Sequence, residues 1–480
     1  MPRRWPGAVL LLLLGGCTLS PQVTDPRVTP PTAYQEADAA MTGAWPTLSW
    51  WHAFGSPELD RLMAQTQAAN PDIAAAIAQV QQAQAQLSIA GAPLYPALSA
   101  NGQAARQRQN GSSRTPLGSN GVLVSPGSGA VTSTSYQAAL SASYELDFWG
   151  RNRAALNAAR ASELASQYNK ETVALTALAT TATTYFNIRA LQDQLDFAAG
   201  NLKIAQDTLA VIEGRIRVGV ADALALANQR TIVAQQQATL APLQLQLTQN
   251  RNALAILTGR TPETLQLQGG SLNDLALPAV APGLASELLT RRPDVQQAEA
   301  KLAAQRANLQ AARAALFPSV SLTAQSGYQS RAFSELFGPS GFFYQAAAGL
   351  TQPIFQGHAL RGRVELERGI YQELVANYRK TVIAAFTDVD NALSAIRSSS
   401  EQERQQQAVI AAATEAYDIA QAQLEVGTVA LTDVLTDETN LFNARNALAQ
   451  IRLAHLNAIV SLHQALGGGW SLPARAGESP

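Results

Sequence analysis

The chain has 480 residues, of which 47% are hydrophobic, 14% charged and 6% aromatic, with 34 basic side chains against 35 acidic ones. This composition excludes a disordered or collagenous protein, and the near-cancelled charge excludes the basic balance of a nucleic-acid binder. One cysteine forbids an intrachain disulfide and a cysteine-based zinc site, and four scattered histidines make no metal cage, so no cofactor is expected.

The chain begins with Arg3 and Arg4 before an apolar run from Ala8 to Leu14. That run is far short of the ~20 residues of a spanning helix, so residues 1–16 read as a signal peptide. Leu14-Gly15-Gly16-Cys17 resembles a bacterial lipoprotein processing site, which would make Cys17 an acylated N-terminus. An ordinary signal peptide with an incidental cysteine is the competing reading. Thr18, in place of an aspartate, favours an outer-membrane destination. Residues 17–56 would then be a lipidated N-terminus with an extended, proline-rich tether from Pro21 to Pro46. No later stretch is apolar for 18 residues, so a mature chain that crosses a bilayer would do so with strands.

The sequence is written twice. Asn70-Pro71-Asp72-Ile73 leads to Leu94-Tyr95-Pro96, and Arg292-Pro293-Asp294-Val295 leads to Leu316-Phe317-Pro318, at an offset of 222 residues. Further on, Tyr136-Gln137-Ala138-Ala139 matches Tyr344-Gln345-Ala346-Ala347, and Val218-Gly219 matches Val426-Gly427, at an offset of 208. The first repeat is placed at 57–259, an equatorial linker at 260–290, the second repeat at 291–467 and a tail at 468–480.

Each copy opens with a helix of about 22 residues that starts on proline, where the missing N–H costs nothing. A strand pair follows, near 96–107 and 133–148 in the first copy and near 318–329 and 342–354 in the second. From Tyr136 to Asp147 apolar and polar residues alternate. Such ~10-residue alternating strands suit a transmembrane barrel with a wet interior, or a soluble sheet with one buried face. Helices without proline come next, over Arg151–Arg217 and His358–Glu425, each ~100 Å long at 1.5 Å per residue. In the first, Leu195, Leu202, Leu209 and Ile216 recur every seven residues beside Leu191, Ala198, Ala205 and Ile212, a coiled-coil seam. In the second, the stripe from Tyr371 through Val382, Val389 and Leu393 to Ile396 has a period nearer 3.6. After a glycine turn, helices of about 37 residues return to Thr258 and Leu466, the first expected to bend at Pro242. The simplest packing is a rod in which each long helix is flanked by two shorter ones stacked end to end, with the linker and termini as a collar.

Templates for catalysis, including G-x-S-x-G, H-E-x-x-H and phosphate-binding glycine loops, are absent, so no enzyme is expected. His455 and His463, two turns apart, read as packing or surface residues.

These residues resemble the outer-membrane factors of tripartite efflux pumps, the TolC and OprM family, in its lipoprotein branch. The match is carried by Trp50-Trp51-His52-Ala53-Phe54 with Pro57-Glu58-Leu59-Asp60, the two proline helix starts, and Val426-Gly427-Thr428 followed by Asp433-Val434-Leu435 and Leu441-Phe442-Asn443-Ala444. The fold class it implies is mainly α with a membrane β part: coiled-coil hairpins forming a periplasmic α-barrel, and four strands contributed to a twelve-stranded β-barrel shared by a homotrimer. The resemblance also implies a periplasmic adaptor and an inner-membrane transporter, of the RND type, as partners in the export of small molecules. Oligomerisation follows independently, since four strands cannot close and an open edge in lipid leaves backbone groups unpaired. A type I protein-secretion duct and a non-porous coiled-coil scaffold are the alternatives.

Two sites follow. The turns at Val218 and Gly219 and at Val426, Gly427 and Thr428 reverse the chain at the end of a long rod and are expected to dock the adaptor. Asp433 matches the family's acidic pore constriction, although Val429 stands where an arginine can occur and Thr436 where a second aspartate can occur. A first-turn acid favoured by the helix dipole is the other reading of Asp433.

Overall fold

The computed structural model describes residues 47–110, 130–219, 223–279, 287–426 and 428–470. The elements in chain order are α1 (Pro57–Ala69), α2 (Pro71–Gly91), β1 (Ala97–Asn110), β2 (Ala130–Leu146), α3 (Arg151–Arg217), α4 (Ala223–Leu257), α5 (Leu288–Arg291), α6 (Pro293–Ala314), β3 (Ser319–Ser330), β4 (Phe342–Thr351), α7 (Ala359–Glu425) and α8 (Leu431–Ala465). The signal segment, Cys17, the tether to Pro46 and Gly427 lie outside the described residues.

The duplication is carried into the long and returning helices without drift. Helices α3 and α7 are both 67 residues long and α4 and α8 both 35, and every one of their bounds is displaced by 208 (359 − 151, 425 − 217, 431 − 223, 465 − 257). Helix α4 continues through Pro242 as a single element.

Two compact units make up the chain. One holds Gln84–Ser162 and Leu302–Glu373, and therefore all four strands. They form one antiparallel sheet in the order β1-β2-β3-β4. The hairpins of the two repeats join through β2 and β3, from Tyr136 opposite Ser330 to Leu146 opposite Val320. Strands β1 and β4 are its free edges.

The other unit, which includes Glu163–Lys301 and the chain from Leu374 onward, contains the larger core. Trp50, Phe54, Leu59, Leu62 and Met63 pack there on Ala182, Tyr185 and Phe186 of α3 and on Leu456, Ile459 and Val460 of α8. Helix α1 is capped by Ser56, whose hydroxyl accepts from Leu59 N at 3.2 Å with Pro57 at the first position. Helix α2 starts on Pro71 with Asn70 Oδ1 accepting from the backbone N–H groups of Asp72 and Ile73.

The α3 seam is closest along its small residues. Leu191, Ala198, Ala205 and Ile212 are buried, whereas Leu195, Leu202, Leu209 and Ile216 are half-buried. Alanine leaves the α3 backbone within reach, as where the side-chain amide of Gln229 of α4 donates to Ala205 O at 2.8 Å, and the larger leucines flank the contact. In α7 the expected stripe holds its buried positions at Tyr371, Val382, Val389 and Leu393.

The short helices do stack end to end. Asn70 at the start of α2 donates to Leu257 O, the last residue of α4, at 2.9 Å. At the equivalent place in the second repeat, Arg292 donates to Ala465 O, the last residue of α8, at 3.2 Å.

Candidate channel wall and hairpin tips

Side chains alternate across a strand, so the register assigns each residue of the sheet to a face. One face carries Leu98 and Ala100 of β1, Leu140, Ala142 and Tyr144 of β2, Leu322 and Ala324 of β3, and Tyr344, Ala346 and Ala348 of β4. The opposite face carries Ser99, Asn101, Gln103, Ser141, Gln325 and Gln345, with Ser99 Oγ 2.8 Å from Ser141 Oγ. One face is hydrocarbon and the other uncharged and polar across its middle, and the apolar face is open: Leu98 and Leu350 on it are 72% and 73% exposed. A soluble sheet would cover the first face; a lipid-facing strand leaves it bare.

Aromatic side chains gather at both ends of the sheet. At one end Tyr328 meets Phe337 and Phe342 with ring centroids 5.6 and 5.8 Å apart, and Tyr136 meets Phe333 at 5.6 Å. At the other end Trp149 stacks on Phe317 at 4.8 Å and donates its indole N–H to Pro318 O, beside exposed Phe148, Ile354 and Phe355. Interfacial belts are enriched in such rings, whose bodies suit lipid and whose polar handles suit headgroups.

At the first hairpin tip, Gly219 has φ 77° and donates its N–H to Ile216 O at 2.9 Å, while Val218 points out, 74% exposed. At the second, Val426 is 74% exposed, and Thr428 folds back to donate through both N–H and Oγ to Gln423 O at 3.0 and 3.1 Å. Asp433 lies in the first turn of α8, exposed, with its N–H donated to Ala430 O at 3.1 Å. Ala430, the residue before the helix, provides no side-chain cap. Asp437 is half-buried one residue before buried Glu438, whose desolvation pushes its carboxyl up to about 7. Burial likewise raises the Tyr417 hydroxyl on α7, followed by the charges of Glu438 and Asp418.

Sequence reasoning missed a buried polar lattice that fixes the linker between the repeats. Glu58 pairs with Arg189 of α3 at 2.9 Å and accepts from Gln268 N, and Arg189 donates to the Tyr185 hydroxyl. Asp193 accepts from Leu272 N at 2.9 Å and from Ser271 Oγ at 3.2 Å; desolvation raises its pKa despite these bonds. From the other side Arg452 of α8 donates to Leu275 O at 2.9 Å and pairs with Glu403 of α7, which also holds His455 Nδ1 at 3.0 Å. His455 is thus a packing residue with an acidic partner. His463 is a packing residue without one: it stacks on Trp50 at 4.9 Å, neither ring nitrogen has a hydrogen-bond partner, and burial lowers its pKa to about 4. The signal available in the sequence was single charged residues inside otherwise apolar helical stripes.

Comparison with known proteins places this geometry. The family model described as outer membrane efflux protein matches residues 62–260 and 284–468. The pyoverdine export outer membrane protein OpmQ of Pseudomonas putida is 38% identical over 470 residues, covering 98% of each chain. The toluene efflux pump outer membrane protein TtgC of Pseudomonas putida is 32% identical, covering 96% of this chain and 95% of that one. Among solved structures, the Campylobacter jejuni CmeC outer membrane channel superposes with a TM-score of 0.86 at 25% identity, over 95% of both chains.

Proposed function

The chain belongs to the outer membrane efflux protein family and is an outer-membrane efflux channel component of a tripartite pump, and we propose that it works as a homotrimer with one shared barrel. The observation that carries this is the sheet itself: four antiparallel strands with free edges at β1 and β4 and an uncovered apolar face. In lipid each unpaired edge group costs several kcal/mol, so β1 of one copy pairs with β4 of the next. Two copies would give an eight-stranded barrel filled by its own side chains; three give twelve strands and room for a passage. The Ser, Asn and Gln face then lines that passage.

Cys17 is read as the acylated N-terminus that anchors the protein in the outer membrane. The turns at Val218 and Gly219 and at Val426, Gly427 and Thr428 are read as the docking points of a periplasmic adaptor that connects to an inner-membrane transporter of the RND type. Asp433, uncapped and exposed within two turns of the second tip, is read as the constriction. The cargo is small: the relatives are named for pyoverdine export and toluene efflux, which supports small-molecule efflux over the protein-secretion duct. Lumen-facing polarity supports a pore over a scaffold.

Native mass of the detergent-extracted protein together with planar-bilayer conductance tests the reading. Three copies, each carrying acyl chains on Cys17, and a discrete conductance are expected. A conducting monomer, or a trimer that never conducts, refutes the shared barrel.

A further inference from the structure

The two ends of the sheet treat their arginines differently. Below the strands, Arg151 pairs with Glu145 at 2.8 Å and Arg153 with Asp147 at 3.3 Å, so these two are neutralised. At the opposite end Arg106 and Arg108 of β1 are exposed and have no ion pair among the described residues, and the same holds for Arg331, the residue after β3. The connection between β1 and β2, 111–129, contains no Asp or Glu and adds Arg114; the only acid in the 331–341 connection is Glu335.

Register fixes where the β1 pair points. Arg106 stands opposite Thr134 and Arg108 opposite Thr132, two and four residues beyond the Ala104–Tyr136 pair, and all share the parity of Leu98 and Ala100. The arginines therefore stand on the apolar face, ~7 and ~14 Å past the row of Tyr136 at 3.4 Å per residue. An arginine on a lipid-facing position costs about 2–4 kcal/mol at the bilayer midplane and about 0–1 near the interface. Such residues are tolerated here because they lie above the aromatic belt, where the outer leaflet turns from hydrocarbon to headgroup.

Resting on the barrel reading above, we propose that Arg106 and Arg108 form a binding surface for the phosphorylated headgroup of the outer leaflet's glycolipid, lipopolysaccharide. Guanidinium forks bind phosphate oxygens bidentately. A glycolipid with phosphates at the sugar level and several acyl chains matches a surface with charge above, rings at the boundary and Leu, Ala and Tyr below. The periplasmic leaflet offers phospholipid alone, and Arg151 and Arg153 at that end are already paired with carboxylates of this chain. The surface gives the barrel a preferred vertical position and a lipid that only the outer leaflet supplies.

Native mass spectrometry of the full-length assembly with added bisphosphorylated lipid A, dephosphorylated lipid A and phosphatidylglycerol tests this. Each of Arg106→Gln and Arg108→Gln is expected to weaken lipid A binding about fivefold, with oligomeric state and resting conductance unchanged. Removing the phosphates should weaken wild-type binding and leave the double variant unaffected. Undiminished lipid A affinity in the double variant, or phosphatidylglycerol competing as well as lipid A, overturns the proposal. Should the double variant fail to assemble, salt decides on the wild type: lipid A affinity that does not fall with rising salt is equally fatal. Wild-type protein that neither conducts nor inserts would instead sink the barrel reading, so the two failures are distinguishable.

Discussion

Gly259 is stacked against Ala69 so closely that a Cβ on the glycine would stand 2.2 Å from the Ala69 carbonyl oxygen. Gly467 repeats the arrangement against Arg291, where the distance would be 2.4 Å. Both glycines have positive φ, 65° and 88°. Each lies just past the end of a return helix, at the point where the next helix of the stack begins. Left-handed backbone and backbone contact together allow only glycine there.

Gly259→Ala and Gly467→Ala should each destabilise the protein by more than the ~1–2 kcal/mol of a left-handed alanine, because a carbonyl must also move. Gly55 provides the control: its φ is 68°, yet a Cβ there meets nothing within 4 Å. Denaturant unfolding of the three variants separates strain from collision. Equal losses at all three positions would show that the close approach contributes nothing.

Helix ends, strand pairs and glycine turns were legible because they depend on local chemistry. Pro71, Pro293 and Gly219 are each required by the backbone within a few residues. The long helices were legible from period, although the depth of each position was not: Ala198 and Ala205 are the buried seam, since closeness of approach depends on the partner helix. The linker lattice was illegible for a different reason. Glu58, Arg189, Asp193 and Arg452 are separated by up to 394 positions (452 − 58), and no spacing rule relates residues that only tertiary packing brings together.

Glu58 and Arg189 are each about nine-tenths buried or more, and they join α1, α3 and the linker at Gln268. Removing one partner leaves an uncompensated charge, so Arg189→Met should cost about 3–5 kcal/mol. Adding Glu58→Gln to that variant should recover part of the loss, because the orphaned carboxylate is gone. A double-mutant cycle by chemical denaturation measures it; strictly additive losses would mean the two charges are not coupled.

Two buried groups in α8 give stability opposite pH dependences. His463 has its folded pKa lowered to about 4 from 6.5. Below pH 6.5 the unfolded chain takes up a proton that the folded one refuses, so stability falls as pH drops from 6.5 toward 4, by about 3 kcal/mol in full. Glu438 has its folded pKa raised to about 7 from 4.5. Its contribution is complete below pH 4.5 and is lost as pH rises through 7, an effect of similar size. The two slopes largely cancel in the wild type between pH 4.5 and 6.5. His463→Leu should leave a protein that loses stability as pH rises, and Glu438→Gln one that loses it as pH falls. Parallel pH profiles for wild type and both variants would contradict both assignments.

The tip prediction concerns the exposed valines. Val218 and Val426 offer a partner helix uncovered apolar side chains beside turns that are held by local bonds, Gly219 N–H to Ile216 O and Thr428 to Gln423 O. Val218→Asp and Val426→Asp should therefore leave folding and trimer assembly within about 0.5 kcal/mol of wild type, as surface substitutions do. Export should nevertheless fall. Drug accumulation in cells, with trimer quantity measured in parallel, checks this; full export with both aspartates present would remove the valines from the docking surface.

Asp433 can be separated from a helix-dipole acid by what its loss does to ions. Three symmetry copies would place three carboxylates around one axis, where mutual repulsion concentrates cations and multivalent ions bind best. The structure leaves its side chain exposed and gives α8 no side-chain cap at Ala430, so the group is free to face a passage. Asp433→Ala should enlarge the resting conductance of the reconstituted channel and weaken block by trivalent cations. Asp433→Asn, which keeps the volume and removes the charge, should relieve the block with a smaller rise in conductance. A dipole acid predicts a different pattern: conductance and block unchanged in both variants, and a stability loss of about 0.3–1 kcal/mol. The comparison works in a single bilayer experiment because the ring effect scales with the charge of the blocking ion, whereas a helix-end effect does not.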